Sequence, residues 1–185
     1  MRRSSLALLT FCAAASAWAA IGYARFAHPK GDYAVEYPSD WKKSYGIQAL
    51  RLAPPGKAGE QVKLTLERYP FGKESPATMA DFARSLLEQV PSLKKLDSDV
   101  AADVAGRKAR RLAFTETATL RTKQGDRLAG PMREVVLLVP VAKGWYVVKL
   151  AGLGREYDKA LPEFEHLVKT AQFEVKPAKT APKKP

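Results

Sequence analysis

The segment from Phe26 to Trp41 constrains the fold more than any other part of the chain. Its sequence, FAHPKGDYAVEYPSDW, has an apolar start, a turn signal at Gly31 and a stretch from Tyr33 to Tyr37 in which large apolar residues alternate with others. A period of two residues is typical of a half-buried strand. We therefore predict a strand, a tight turn, a second strand and a Pro-Ser-Asp-Trp corner that directs Trp41 toward the core.

Two more strands and one helix follow from hydrophobic periodicity. Ile47 to Leu52 predicts a third strand. Val62 to Leu66 predicts a fourth, in which apolar residues alternate with polar ones and leave one face wet. From Thr78 the apolar residues recur at helical spacing until Pro91, so we predict a helix with Thr78 as its N-cap.

The second half of the chain predicts long strands. Residues 100–120 form two extended pieces that turn near Ala105-Gly106, and residues 122–130 form a polar hairpin loop. The runs 135–141 and 145–150 are apolar on both faces, so we expect them in the middle of the sheet, joined by a short hairpin.

The chain is predicted to end in a helix, a short strand and a tail. Apolar residues from Leu161 to Ala171 have helical spacing, and Pro162 is the natural first-turn proline of such a helix. Residues 172–175 predict a last short strand. Residues 176–185 contain four lysines and three prolines without a large apolar side chain. We expect an extended, mobile tail, because such a segment cannot bury enough surface to fold.

The N-terminus has the features of an export signal. Two arginines precede an apolar run from Leu6 to Ala15, and Ala17-Trp18-Ala19 matches a small-x-small cleavage site. The run is about half as long as a membrane-spanning helix. We predict that residues 1–19 are removed as a signal peptide and that the mature chain, starting at Ala20, is periplasmic or secreted.

Length, cysteine content and charge limit the remaining function classes. Residues 20–175 are expected to form a single domain, since no break in composition divides them. Cys12 is the single cysteine, so cleavage leaves no disulfide, thiolate metal site or cysteine nucleophile. The chain has 31 basic and 19 acidic side chains, a formal net charge of +12. This excess favours anionic partners, and export makes nucleic acid a poor candidate.

The order of these elements resembles that of the PsbP-like family, which includes the extrinsic lumenal subunit of photosystem II and many exported bacterial proteins. The residues that carry the resemblance are the Gly31-Asp32-Tyr33 start, the run Tyr37-Pro38-Ser39-Asp40-Trp41, the Gly106 turn, and the strand and helix from Trp145 to Phe173. The resemblance covers nearly the whole mature chain, from Arg25 to Val175.

The resemblance implies an α+β fold, in which an antiparallel β-sheet is flanked by helices in an α/β/α sandwich. It also implies an accessory binding protein instead of an enzyme. No metal-binding or docking residue of the photosynthetic subunit has a clear counterpart in this sequence, so no functional residue is carried over.

Two histidines are the candidates for imidazole chemistry. His28, before Pro29 at a strand end, is interpreted as a turn or surface residue, and His166 as a residue flanking the apolar stripe of the last helix. No Gly-x-Ser-x-Gly elbow accompanies them. We predict no catalytic residue, cofactor or metal site. The alternative is an exported hydrolase or metal-dependent enzyme in which His28 or His166 meets carboxylates in space.

Asp97, Asp99 and Asp103 form the densest acidic group in the sequence. The pattern lacks the glycine and the closing glutamate of a calcium loop. We interpret the three carboxylates as solvated loop charges.

Four aromatic residues raise the question of a ligand groove. They are Trp41, Trp145, Tyr33 and Phe114. Aromatic residues on strands are usually part of the core, and we predict that role here. The alternative is a small-ligand carrier with an apolar pocket beside Trp41 or Trp145.

Basic residues are densest on one predicted strand and in the tail. The strand residues point to both faces, so two of the four can meet one partner. The predicted partner-binding residues are Arg107, Lys108, Arg110, Arg111, Lys176, Lys179, Lys183 and Lys184. We predict a non-enzymatic binding module for a protein or an anionic envelope component, with peripheral contact to an anionic membrane surface. The alternative is that the strand residues cover apolar neighbours and keep their charged ends in water.

Overall fold

The computed structural model describes residues 22–46, 49–71, 78–88 and 94–174. In these ranges the elements are, in chain order, β1 (Tyr23–Ala27), β2 (Tyr33–Pro38), β3 (Lys42–Tyr45), β4 (Ala49–Ala53), α1 (Ala58–Gln61), β5 (Val62–Pro70), α2 (Met79–Glu88), β6 (Lys94–Val104), β7 (Arg107–Arg121), β8 (Arg127–Val141), β9 (Gly144–Leu153), α3 (Gly154–Thr170) and β10 (Gln172–Phe173). The predicted signal peptide (1–19) and tail (176–185) lie outside the described residues.

The strands form two antiparallel sheets. The large sheet has the order β3-β4-β5-β9-β8-β7-β6, and the small sheet has the order β1-β2-β10. The prediction that β8 and β9 occupy the middle of the sheet is confirmed, and their apolar residues are buried on both faces. At the hairpin between them, Gly144 has φ 135°. A Cβ atom at this position would clash with the Tyr69 carbonyl oxygen, so the close approach of β5 requires glycine.

Helix α3 and the small sheet pack against one face of the large sheet. The helix buries Tyr157, Ala160, Phe164 and Leu167, which recur every three or four residues and so lie on one side. Phe164 is fully buried in the core cluster that these residues form with the inward side chains of β2, β4, β5, β8 and β9. The predicted strand, turn, strand and corner at the start of the chain are confirmed, and Trp41 is buried in this cluster.

Helix α2 packs on the opposite face, over strands β7, β8 and β9. Its buried residue is Ala83, and the helix covers a second apolar cluster that includes Phe114 and Trp145. The predicted N-cap is confirmed, because the backbone N–H of Asp81 donates to the Thr78 hydroxyl at 3.1 Å. Of the three helices in the described ranges, none combines the length and the apolar character of a membrane span.

Within the described ranges the protein is mostly antiparallel sheet with three helices, which matches the predicted α/β/α sandwich only in part. Helix α2 has ten residues and covers only part of its face. On the other face, α3 shares its layer with the small sheet. Sheet, more than helix, therefore dominates the architecture.

Several predicted boundaries are wrong for physical reasons. Pro162 lies inside α3, which begins at Gly154. The predicted 122–130 loop is shorter, because β7 and β8 remain paired as far as Arg121 and Arg127. Strand β3 was not predicted, since its sequence Lys-Lys-Ser-Tyr has no apolar alternation and its conformation is supported by pairing with β4.

Candidate functional site

One part of the large sheet carries lysine and arginine side chains on the face opposite α3. In β5, Val62 and Leu64 point into the core beneath α3, so Lys63 between them points to the other face. The register places Arg51 of β4 on this face as well, and Lys42 of β3 lies opposite Ala53. Helix α2 covers strands β7 to β9 and not this part of the sheet.

Two adjoining hollows run along these side chains. The first, of about 510 Å³, is lined by Lys42, Arg51 and Lys63, among others. The second, of about 460 Å³, also borders Lys42 and Lys63 and adds Arg121 and Lys123 from the end of β7 and the turn that follows it. The Lys123 backbone N–H donates to a Glu60 carboxylate oxygen at 3.0 Å, which ties this turn to α1. We call Lys42, Arg51, Lys63, Arg121 and Lys123 the basic face.

The basic face is exposed and has a net positive charge, with Glu60 as the acidic residue that lines the second hollow. Within the described ranges, none of its five side chains forms an ion pair with a carboxylate. The neighbouring Lys43 points to the other side, where its ammonium lies 5.2 Å from the Phe26 ring centre. A cluster of exposed cations of one sign attracts anionic groups, and salt weakens that attraction.

The predicted basic group on β7 has a different environment, because each member has its own carboxylate partner. Arg107 is 2.8 Å from Glu174, Lys108 is 3.5 Å from Asp103, Arg110 is 2.6 Å from Asp99, and Arg111 is 2.6 Å from Glu165. Arg111 also lies over the Phe164 ring on the α3 side, and alternation places Lys108 and Arg110 on the opposite face. Partner binding by these four residues stays a prediction, as it does for Lys176, Lys179, Lys183 and Lys184, which lie outside the described residues.

The three aspartates of the densest acidic group are exposed, as predicted, but they lie on strand β6 and not in a loop. They face basic partners: Asp97 is 3.7 Å from Lys95, and Asp99 and Asp103 pair with β7. The hydrogen bonds that Arg110 donates lower the pKa of Asp99 below its usual range. Strand β6 therefore neutralises much of the charge on β7.

His28 begins the β1–β2 turn, as one of its two interpretations has it, because its carbonyl oxygen accepts a hydrogen bond from the Gly31 N–H at 2.8 Å. It is buried, with 8% of its surface exposed, so the interpretation as a surface residue is wrong. Its Nε2 atom is 2.5 Å from the Tyr45 hydroxyl. Its Nδ1 atom is 3.1 Å from an Asp32 carboxylate oxygen, without the alignment of a hydrogen bond. Burial lowers the pKa of His28, although the Asp32 charge acts in the opposite direction. A neutral imidazole fits this geometry, with Nε2 accepting the Tyr45 proton and Nδ1–H facing Asp32.

His166 belongs to a separate cluster on α3. Its ring stacks on Tyr23 with 3.7 Å between ring centres, and Nε2 is 3.2 Å from a Glu36 carboxylate oxygen. The two histidines thus meet different carboxylates. In the part of the chain that the structure describes, no three His, Cys, Asp or Glu side chains converge as metal ligands would.

The four aromatic residues proposed for the core are buried, which confirms that interpretation. Trp145 stacks on Tyr69 with an interplanar angle of 8°. Trp41 borders a hollow of about 320 Å³, whose wall also includes Pro54, Glu156 and Glu163.

The basic face was not found from the sequence because its residues are far apart along the chain. The available signal was the wet face of the predicted 62–66 strand, which contains Lys63. The neighbours of that strand across the sheet depend on strand pairing, which periodicity does not specify.

No protein-family model matches the chain, and no curated protein sequence matches it. Solved structures do match. The solution structure of cyanobacterial PsbP (CyanoP) from Synechocystis sp. PCC 6803 aligns with a TM-score of 0.57 at 12% identity, covering 89% of this chain and 98% of that one. The chain has a PsbP-like fold. The resemblance seen in the sequence is thereby confirmed at the level of the fold.

The PsbP-like fold is also similar to a eukaryotic protein. The Ran-binding protein Mog1p of Saccharomyces cerevisiae aligns with a TM-score of 0.55 at 10% identity, covering 84% of this chain and 97% of Mog1p. At such low identities the similarity concerns the fold alone.

Proposed function

We propose that the chain is an exported, non-enzymatic binding module whose basic face contacts an acidic surface, on a partner protein or on an anionic component of the cell envelope. The observation that carries this proposal is the group of five exposed cations that line two adjoining hollows, without an ion-pair partner among the described residues. Cations arranged in this way steer anionic partners and orient their approach.

Two further observations support a binding role. Mog1p, which shares the fold, is a Ran-binding protein, and this supports a protein partner by analogy at the level of the fold. The described residues that line the cleft beside His28 include no serine, threonine or cysteine. Hydrolysis through a serine, threonine or cysteine nucleophile therefore has no support at this cleft, which favours binding over that form of the hydrolase alternative.

Export is the part of the proposal that rests on the sequence. The charged start, apolar run and small-x-small site of residues 1–19 are those of a cleaved signal peptide. The lysines of residues 176–185 would add a second, salt-sensitive contact with the same anionic partner.

The basic face is tested by charge reversal. We expect the double variant Lys42→Glu/Lys63→Glu to bind immobilised poly-L-glutamate about tenfold more weakly than the wild type, because two exposed ion pairs are worth about 1–2 kcal/mol together. The salt dependence of binding should also decrease. Parallel sedimentation with vesicles of phosphatidylglycerol and phosphatidylethanolamine distinguishes an acidic polypeptide from a lipid surface as the preferred target.

The control is the double variant Arg84→Glu/Lys95→Glu, which changes the net charge equally on α2 and β6. It should bind both probes as the wild type does. Equal losses of binding in the two double variants would mean that net charge, and not the position of the charges, controls binding. Unchanged binding of Lys42→Glu/Lys63→Glu would overturn the assignment of the basic face.

A further inference from the structure

A second site lies between the β1–β2 turn and the ends of strands β3 and β5. It is a cleft of about 220 Å³, lined by His28, Lys30, Asp32, Tyr33, Tyr45, Arg68 and Pro70. The basic face and this cleft share no lining residue.

Three buried hydrogen-bond donors on residues that line this cleft lack a partner among the described residues. One is the His28 Nδ1–H group, which faces Asp32, and the other two are the Tyr33 hydroxyl and the Arg68 Nε–H group. Tyr33 itself is 2% exposed. Burial raises the pKa of Tyr33, so its hydroxyl remains protonated and can donate. Buried donors without an acceptor are costly, which points to a ligand that supplies acceptor atoms.

The orientation of Arg68 indicates what kind of acceptor fits. Its Nη1 atom is 2.8 Å from an Asp32 carboxylate oxygen. Nε and Nη2 therefore remain as the lateral edge of the guanidinium, which matches the two oxygens of a carboxylate. The same edge of Arg110 binds Asp99 in this protein, with distances of 2.8 and 2.6 Å.

The charges around the cleft suit a single negative charge. Arg68 and the exposed Lys30 are cationic, Asp32 is anionic, and the lowered pKa of His28 keeps its imidazole neutral near pH 7. The balance is one positive charge. A phosphate carries a second negative charge, so the Asp32 carboxylate would repel it more strongly than it would repel a carboxylate ligand. Pro70 and the tyrosine rings provide apolar wall for a short hydrocarbon chain.

We propose that this cleft binds a small organic carboxylate through the lateral edge of Arg68 and the Tyr33 hydroxyl, with Lys30 as a second cation at the rim. The site would give the module a small-molecule ligand in addition to its macromolecular partner. It does not depend on the basic face.

The test is an NMR titration of the isotope-labelled mature chain with sodium butyrate at constant ionic strength, which follows the Arg68 Nε–H signal and the backbone amides of residues 31–33. We expect saturable shifts with butyrate and none with n-butanol, the neutral control of the same chain length. The apparent affinity for inorganic phosphate, from the same titration, should be at least tenfold weaker than that for butyrate. No saturable shift with butyrate, or equal responses to phosphate and butyrate, would overturn the proposal.

Two variants assign the binding groups. Arg68→Lys keeps the charge but removes the two-donor edge, and should weaken butyrate binding at least tenfold, as monitored by the amides of residues 31–33. Tyr33→Phe should weaken it severalfold without lowering the thermal midpoint, because the hydroxyl has no partner in the described structure. Arg51→Lys, on the basic face, is the matched control and should bind as the wild type does. Wild-type affinity in both cleft variants would contradict the assignment.

A folding defect in Arg68→Lys, seen by circular dichroism, leaves Tyr33→Phe and the wild-type titration as the deciding measurements. The protein with Lys42→Glu/Lys63→Glu should bind butyrate normally. Failure of the carboxylate site is therefore distinguishable from failure of the basic face.

Discussion

His28 is a weak base in a place where its charged form is disfavoured. Burial is the main cause of its lowered pKa, and the charges of Arg68 and Lys30 act in the same direction, whereas Asp32 opposes them. In the unfolded chain the pKa returns to about 6.5. The folded state therefore binds the proton less readily than the unfolded state does.

The free energy of unfolding should therefore depend on pH through this residue. Above pH about 6.5 the imidazole is neutral in both states, and its contribution is complete. As the pH falls below that value toward the lower folded pKa, the unfolded state takes up the proton first and stability is lost. We expect His28→Gln to flatten this decline in urea unfolding experiments. His166→Gln is the control and should retain it; a decline equally steep in His28→Gln would contradict the prediction.

Helix α3 contains a proline, Pro162, in its interior, where it interrupts the backbone hydrogen bonding of the helix. Proline has no N–H for the Asp158 carbonyl four residues earlier, and its ring crowds that carbonyl. Pro162 is exposed, so water can reach the freed carbonyl. The helix tolerates the proline because Tyr157, Phe164 and Leu167 bury the opposite side in the core.

Replacing this proline should stabilise the protein. We expect Pro162→Ala to raise the free energy of unfolding by about 1–3 kcal/mol, the cost of an interior proline less the entropy it removes from the unfolded chain. Pro55→Ala, in the exposed loop before α1, should have the opposite sign, with a loss of up to about 1 kcal/mol. Urea unfolding measures both changes, and a less stable Pro162→Ala protein would be the contrary outcome.

Elements with a strong internal pattern are the ones that the sequence predicts well. The cap at Thr78, the alternation after Gly31 and the two-sided apolar runs of β8 and β9 each depend on neighbouring residues, and each is confirmed. Strand β3 and the start of α3 depend on contacts with distant segments, which periodicity does not contain. The His28 cleft was missed for the same reason, because Tyr45 and Arg68 reach it from two other strands.

At the scale of the whole molecule, positive charge is distributed unevenly. The four basic residues of β7 are matched by carboxylates from β6, α3 and Glu174. Among the described residues, the basic face carries five cations without such compensation. Residues 176–185 add four lysines and no acid.

Deleting residues 176–185 should separate stability from binding. The thermal midpoint should not change, because the segment has no large apolar residue to bury. Binding to phosphatidylglycerol vesicles at low salt should weaken at least about tenfold, since each lysine near an anionic surface contributes about 1 kcal/mol. Sedimentation and calorimetry measure the two quantities. A lowered midpoint would show that the segment packs on the domain.

Strand β3 is the outermost strand of the large sheet, beside the basic face. Its four residues are all exposed, and Lys42 and Lys43 are cationic. Charged side chains on an edge strand make two copies repel each other where their backbones would otherwise form hydrogen bonds. An anionic partner that neutralises Lys42 therefore also weakens the repulsion that keeps two copies from pairing edge to edge. Binding of the partner and resistance to aggregation are coupled through this strand.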